Sequence, residues 1–364
     1  MKFNLEVIQK YIDDGLLVCQ IHPTLPLKIY NYSRTCQYEG KWDEITLNFR
    51  GMILDDEGNM VARSLPKFFN LSEDPTIPDD KYCYAQNKED GSMLILFNYK
   101  DEWITATRGS FTSDQCIKGM EILKSKYDLN NFHKNITYIG EVIYPQNIIV
   151  VNNGDVDKVI FITAYAKNNE LNWTTAKAIF YSSGVLEEDI VNTQYYNMDI
   201  DMDKLQKLDE ENKEGFVVRF VPSNKRIKIK YDNYVRLHRL ITNFSNVDIW
   251  ECLKTGTDFD LLLENVPDEY DDFVRNTRNN LLNEYSKIEV NAHSLFEEFK
   301  IKRPGFPFGD VGKKEFAMWV KEQPRETQPI LFKIYGENYY SDIIWKLIKP
   351  TYVKPTWGKK IDNL

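Results

Sequence analysis

Eight apolar runs of strand length punctuate the first 244 residues, and near residue 245 that pattern gives way to helical spacing. The runs are GMILDD (from Gly51), SMLILFN (Ser92), EWITATR (Glu102), ITYIGEVIY (Ile136), NIIVVNN (Asn147), KVIFITAYA (Lys158), GFVVRFV (Gly215) and RIKIKY (Arg226). Many are β-branched or aromatic, and turn residues such as Asp56-Glu57-Gly58-Asn59 and Pro222-Ser223-Asn224 separate them. Two stretches, from Asp114 and from Trp173, read as amphipathic helices. Beyond residue 245, Asn265-Val266-Pro267 opens a long helical pattern, with Tyr270, Val274, Thr277, Leu281, Ile288, Ala292, Leu295 and Phe299 on one face and Pro304-Gly305 at its end. The segments starting at Lys313 and Pro329 supply further helices. The expected fold class is α+β: a β-rich domain over 1–244 followed by an all-α domain over 245–364.

A chain of 364 residues has core enough for two such domains, and 42% apolar with 13% aromatic residues marks a folded protein. No apolar run is long enough for a membrane span, and the N-terminus carries acids where a secretory signal needs an apolar stretch. A soluble, cytoplasmic protein that does not engage membranes is expected, in a host cytoplasm if the source is viral. The five cysteines have no C-x-x-C pair, which argues against a disulfide framework or a zinc ribbon. Net charge is −9, so general attraction to nucleic acid is not expected, but basic residues cluster at 225–230, 300–314 and in the C-terminal tail. For the last two clusters a solvated surface is as good a reading as a nucleic-acid contact.

One short stretch, Lys88-Glu89-Asp90-Gly91 ahead of SMLILF, admits two readings: a charged turn entering a strand, or a reactive lysine at a strand's lip. Glu214-Gly215 repeats the acid-glycine-strand form, and Lys228 and Lys230 follow in IKIK. Strand alternation puts those two lysines on one face with Ile227 and Ile229 on the other. Adjacent like charges repel unless water or an anion lies between them. Glu141 interrupts an otherwise apolar strand, which fits a solvent-facing residue or one aimed at a metal or a hydroxyl.

Taken together, Lys88-Glu89-Asp90-Gly91-Ser92, Glu141, Glu214-Gly215 and Lys228-Ile229-Lys230 resemble motifs I, III, IV and V of the covalent nucleotidyltransferases, the superfamily of ATP-dependent ligases and capping enzymes. Within it the chain most resembles the phage-type RNA ligase 1 family of tRNA-repair ligases. IYNYS (from Ile29), RGMIL (Arg50), KFFNLSEDP (Lys67), PQNIIV (Pro145) and KIKYDNYVRLH (Lys228) carry that likeness in order over residues 29–238. The chain departs from the family pattern at Arg108-Gly109-Ser110, where a lysine is common, and at Ile148, where an arginine is common.

The resemblance implies an ATP-grasp-like nucleotidyltransferase domain followed by a helical, RNA-specificity domain, and an ATP-dependent RNA ligase that is a monomer. Its substrates would be ATP and RNA with 5′-phosphate and 3′-hydroxyl ends, including cleaved tRNA, with Mg²⁺ or Mn²⁺ as cofactor. Lys88 would be the nucleophile that becomes lysyl-AMP. Lys228, Lys230 and Glu141 would complete the catalytic set. Tyr30, Arg50, Lys67, Arg108, Glu141, Glu214, Lys228 and Lys230 would bind ATP. Asp90, Glu141 and Glu214 would approach the metal, directly or through water. Asp258 and Asp260 read either as surface acids or as further metal-approaching ones, and Tyr234 and His238 match the family pattern but read equally well as packing around the basic strand. A lysine attacks phosphorus only as the uncharged amine, so its pKa must fall well below about 10.4, which neighbouring cations promote. The alternatives are another covalent nucleotidyltransferase, such as a DNA ligase or a capping guanylyltransferase, and a catalytically silent RNA-binding relative. The helical C-terminal region and the KFFN and NYVRLH segments favour the RNA ligase. The silent relative would be expected to lack the lysine or motif V, and both are present.

Overall fold

The computed structural model describes residues 1–147, 150–197, 201–242, 244–263, 266 and 270–353. Ile148, Pro267, the side chain of Asp260 and the tail from 354 onward lie outside the described residues. The chain divides into two compact units, residues 1–241 and 242–364.

Fourteen strands among the described residues build the first unit: β1 Leu17–Ile21, β2 Leu27–Tyr32, β3 Arg50–Asp55, β4 Met60–Ala62, β5 Phe69–Asn70, β6 Tyr82–Lys88, β7 Ser92–Tyr99, β8 Glu102–Ala106, β9 Ile136–Ile143, β10 Lys158–Ala166, β11 Asn169–Glu170, β12 Thr193–Asn197, β13 Gly215–Val221 and β14 Arg226–Lys230. They form three sheets, ordered β1-β2-β3-β4, β11-β10-β9-β7-β8 and β12-β6-β13-β14-β5. All pairings within them are antiparallel except β14 with β5.

Burial follows the alternation of the strands. Leu27, Ile29, Ile53, Ile95, Phe97 and Ile139 fill the core between the first two sheets. The other face of the β9-containing sheet supplies Leu94, Leu96, Tyr138, Val142 and Phe161, covered by the helices Asp114–Lys126 and Trp173–Ser182. Both helices start where Ser113 and Asn172 cap them, their side chains accepting from backbone N–H groups of the first turn.

Of the eight apolar runs, seven form strands. The exception is NIIVVNN: Pro145–Asn147 is a 3₁₀ turn and Val150 to Asn153 carry no strand. The amides that a strand would spend on a neighbour are taken instead by a carboxylate, described below.

The second unit is helical, with Asn246–Thr255, Phe259–Leu263, Asp271–Lys302, Lys313–Val320, Gln328–Tyr335 and Ser341–Leu347. In its 32-residue helix, Val274, Leu281, Ala292 and Phe299 are buried, the periodic face expected from the sequence. The basic stretch after residue 299 is largely answered locally, Lys300 by Glu297 at 2.6 Å, Lys302 by Glu298 and Arg303 by Glu315 at 3.4 Å. None of the five cysteines is in a disulfide, and among the described residues no helix is long and apolar enough to cross a membrane.

Candidate active site

Lys88 is the last residue of β6 and Ser92 the first of β7, and those strands belong to different sheets. Glu89-Asp90-Gly91 is therefore a crossover, which disposes of the hairpin-turn reading. Asp90 anchors it. Its buried carboxylate accepts from the backbone N–H groups of Val150 and Val151 at 2.8 and 2.7 Å, and from the Tyr234 hydroxyl at 2.9 Å. Gly91 is required by contact, since a Cβ there would stand 2.5 Å from the Val142 carbonyl oxygen and 3.1 Å from Glu141 Cγ. The crossover is thus pressed against the end of β9.

The register of β6, β13 and β14 sets Lys88 opposite Gly215 and Gly215 opposite Lys230. Side chains opposite one another share a sheet face, so two lysines flank a bare glycine. No other residue fits the middle of that row: Gly215 has φ +140°, and a Cβ would lie 2.1 Å from the Ile229 carbonyl oxygen. The preceding residue, Glu214, is buried and shared by both lysines, with Lys88 Nζ at 2.7 Å and Lys230 Nζ at 3.5 Å. Lys228 lies one row along, opposite Asn70 of β5, with its Nζ 5.7 Å from the centre of the Phe68 ring.

The Glu214 carboxylate thus stands between Lys88 and Lys230. An amine attacks phosphorus only once a proton has left it, and at 2.7 Å the Glu214 carboxylate is placed to receive that proton from Lys88 Nζ.

Glu141 faces Met93 across β9 and β7. Burial, with further contributions from Glu214 and Asp90, pushes its carboxyl up to about 8, against the opposing pull of Lys88 and Arg50. Arg50, at the start of β3, donates to Met93 Sδ at 3.1 Å and to the Leu65 carbonyl at 3.4 Å.

Lys67 is buried with its Nζ 5.3–5.7 Å from the rings of Trp42, Phe69 and Tyr32. Arg108 lies over the same Tyr32 ring at 5.5 Å, so Tyr32 links the two cations. Tyr30, expected in the ATP pocket, packs instead on Phe49 in the N-terminal core, its hydroxyl bonded to the Cys19 thiol and its pKa raised chiefly by burial. Within Tyr-Asn-Tyr the two tyrosines read alike, and the irregularity between Tyr30 and Asn31 in the β2–β3 pairing is invisible in sequence. Tyr234, which the sequence left between a family-pattern residue and packing, donates to Asp90 and so forms part of the crossover's anchor.

Among the described residues no three acidic, His or Cys side chains gather as a metal cage. Asp90 is committed to its three donors and does not join Glu141 and Glu214 as a ligand set. Those two still suit a divalent cation held partly through water, because burial and the neighbouring Glu214 and Asp90 carboxylates push the Glu141 carboxyl up, and a bound cation would offset both. Beyond Glu89 a cavity of about 770 Å³ opens, walled by Trp173, Tyr181 and Tyr195 and carrying Lys158 and Lys177.

Comparisons with known proteins bear on these residues. Solved structures with distant similarity include the following. A putative ATP-dependent DNA ligase from Aquifex aeolicus is 15% identical, with 92% of this chain and 88% of that one covered, at a TM-score of 0.49. An archaeal ATP-dependent RNA ligase is 16% identical over 79% of each chain, at 0.48. A Naegleria gruberi RNA ligase variant with ATP and Mn is 11% identical over 43% of this chain and 51% of that one, at 0.36. At this distance they bear no weight. The family model described as RNA ligase, of the T4 ligase 1 type, matches residues 48–234, just over half of the chain. That span runs from the start of β3 through Lys88, Glu141, Glu214 and Lys230 to Tyr234, and on it this chain belongs to the RNA ligase family.

Proposed function

We propose that this RNA ligase is ATP-dependent and joins RNA 5′-phosphate and 3′-hydroxyl ends in RNA repair, cleaved tRNA among its substrates. The observation that carries the reading is the Lys88–Gly215–Lys230 row with Glu214 shared beneath it. Lys88 Nζ, having passed a proton to Glu214, attacks the α-phosphorus of ATP. The P–N bond forms, the bond to the β-phosphate oxygen breaks, and pyrophosphate leaves. An RNA 5′-phosphate oxygen then attacks the same phosphorus, breaking the P–N bond and returning the lysine. The 3′-hydroxyl oxygen finally attacks the activated 5′-phosphorus, the phosphodiester forms and AMP departs. Lys228 and Lys230 supply positive charge to the α-phosphate, and Arg50, Lys67 and Arg108 to phosphates nearer the first sheet. Glu141 and Glu214 would hold a divalent cation, which when bound supplies further charge to the phosphates. The cavity beside Glu89 is large enough for the nucleoside.

The test is joining itself. With ATP and Mg²⁺, a 5′-phosphorylated single-stranded RNA should be circularised, while nicked duplex DNA is not. Lys88→Arg keeps the ion pair but does not deprotonate, so joining should fall by at least ~10³-fold. DNA sealed as well as RNA would contradict the substrate assignment. Joining retained by Lys88→Arg would remove Lys88 from the reaction.

A further inference from the structure

At the other end of the sheet that carries Lys88, two arginines pair with one carboxylate and a third lines the same cavity. Arg219 of β13 and Arg226 of β14 are paired in register, and Tyr84 of β6 lies opposite Arg219. Both guanidinium groups bind Glu170 of β11, Arg219 at 2.9 Å. Glu170 also accepts from the Thr163 hydroxyl at 2.9 Å and the Tyr165 hydroxyl at 3.3 Å. The third, Arg63, stands over the Tyr165 ring at 5.2 Å. Its hydrogen-bond acceptors are neutral: Asn168 Oδ1 at 2.6 Å, Asn48 Oδ1 at 2.9 Å and the Ser64 carbonyl at 3.3 Å. Arg63, Arg219 and Arg226 are all at most 7% exposed.

The cluster thus buries two more positive than negative charges, and burying uncompensated charge is costly. It also walls a cavity of about 280 Å³, lined by Arg63, Arg226, Tyr165, Asn168, Glu170 and Asn224 among others, with the exposed Asn169 at its rim. That space is several times the roughly 30 Å³ of a water molecule. Arginine cannot shed its charge, so the excess persists at every physiological pH. Amide groups of Asn168 and Asn224 can donate as well as accept once turned toward a ligand.

We propose that this cavity is an anion site that takes a phosphate group, either free inorganic phosphate or a phosphodiester of bound RNA. Fixed guanidinium charge and planar donors suit phosphate oxygens, and the missing counter-charge is what the ligand provides. The proposal does not depend on the ligase reading.

Asn168 permits a test by charge alone. Asn168→Asp puts a carboxylate where Arg63 already bonds the amide oxygen, supplying an internal counter-ion; Asn168→Ala removes the same bond without adding charge. In the full-length protein at constant ionic strength, inorganic phosphate at tens of millimolar should raise the Tm of wild type and Asn168→Ala by ~2–5 °C over chloride. In Asn168→Asp at least half of that rise should vanish, while its Tm without phosphate exceeds that of Asn168→Ala. A second arm uses a single-stranded oligoribonucleotide with 5′-hydroxyl and 3′-phosphate ends, which cannot be joined. At least fivefold weaker binding by Asn168→Asp than by Asn168→Ala assigns the phosphate to RNA. Equal binding, with the inorganic phosphate response lost, assigns it to the free anion. A full phosphate response in Asn168→Asp, or none in wild type, overturns the proposal. Loss of RNA joining without change in these Tm values would bear on the ligase reading alone.

Discussion

One sheet face presents two cationic sites built to the same plan with different chemistry. At one end the row Lys88–Gly215–Lys230 shares Glu214, and four residues along the strands the row Tyr84–Arg219–Arg226 shares Glu170. The two rows stand about 13 Å apart. Lysine can lose its proton and arginine cannot, so only the first end can furnish a nucleophile. The glycine row also leaves room over the sheet, whereas the tyrosine row fills it with a ring 5.7 Å from the Arg219 guanidinium. A shared carboxylate therefore sets a reactive group in one place and holds fixed charge in the other.

Removing each carboxylate in turn would break or sharpen that contrast. Glu170→Gln strips the buried Arg219 and Arg226 guanidinium groups of their carboxylate and should cost about 3–5 kcal/mol of unfolding free energy. Glu214→Gln leaves Lys88, which is partly exposed, and Lys230 able to recruit water, so about 1–2 kcal/mol is expected. Urea unfolding of both variants measures the difference, and equal losses would mean that the two ends do not differ in how their charge is compensated.

A pH-dependent effect concerns Glu141. Burial pushes its carboxyl up to about 8 in the folded chain, well above the ordinary glutamate range near 4.5. Between those values the folded state binds one proton more than the unfolded state, so wild-type stability falls as pH rises through the interval. Glu141→Gln has no such proton. Its stability relative to wild type should therefore increase from pH 5 to pH 8.5 in chelator-treated buffer, by roughly 1–3 kcal/mol given partial solvent screening. Parallel stability curves for the two proteins would show that Glu141 is ionised like an ordinary glutamate, and would remove the argument that it wants a cation.

Much of this was legible in the sequence because alternation and local turn chemistry carry it. The IKIK strand announces which face holds Lys228 and Lys230, and the 3.6-residue spacing from Val274 to Phe299 announces a helix face. What was not legible depends on partners far away in the chain. Asp90 looks like a metal ligand until Val150, Val151 and Tyr234 arrive, the last of them 144 residues on. That same carboxylate takes two amides of the NIIVVNN stretch, whose composition promises a strand. Glu170 comes from a two-residue strand, and no local pattern in Asn169-Glu170 foretells two arginines. Tyr30 and Tyr32 are indistinguishable until an irregularity in strand pairing separates their surroundings.

The central claim is that Lys88 is the residue that becomes adenylated. Wild-type protein incubated with ATP and Mg²⁺ without RNA, then digested under non-acidic conditions and mapped by mass spectrometry, measures it directly. One AMP per chain on the Lys88 side chain is predicted, with Lys228 and Lys230 unmodified. AMP attached to either of those lysines, or no adduct on a folded protein that still joins RNA, would contradict the account.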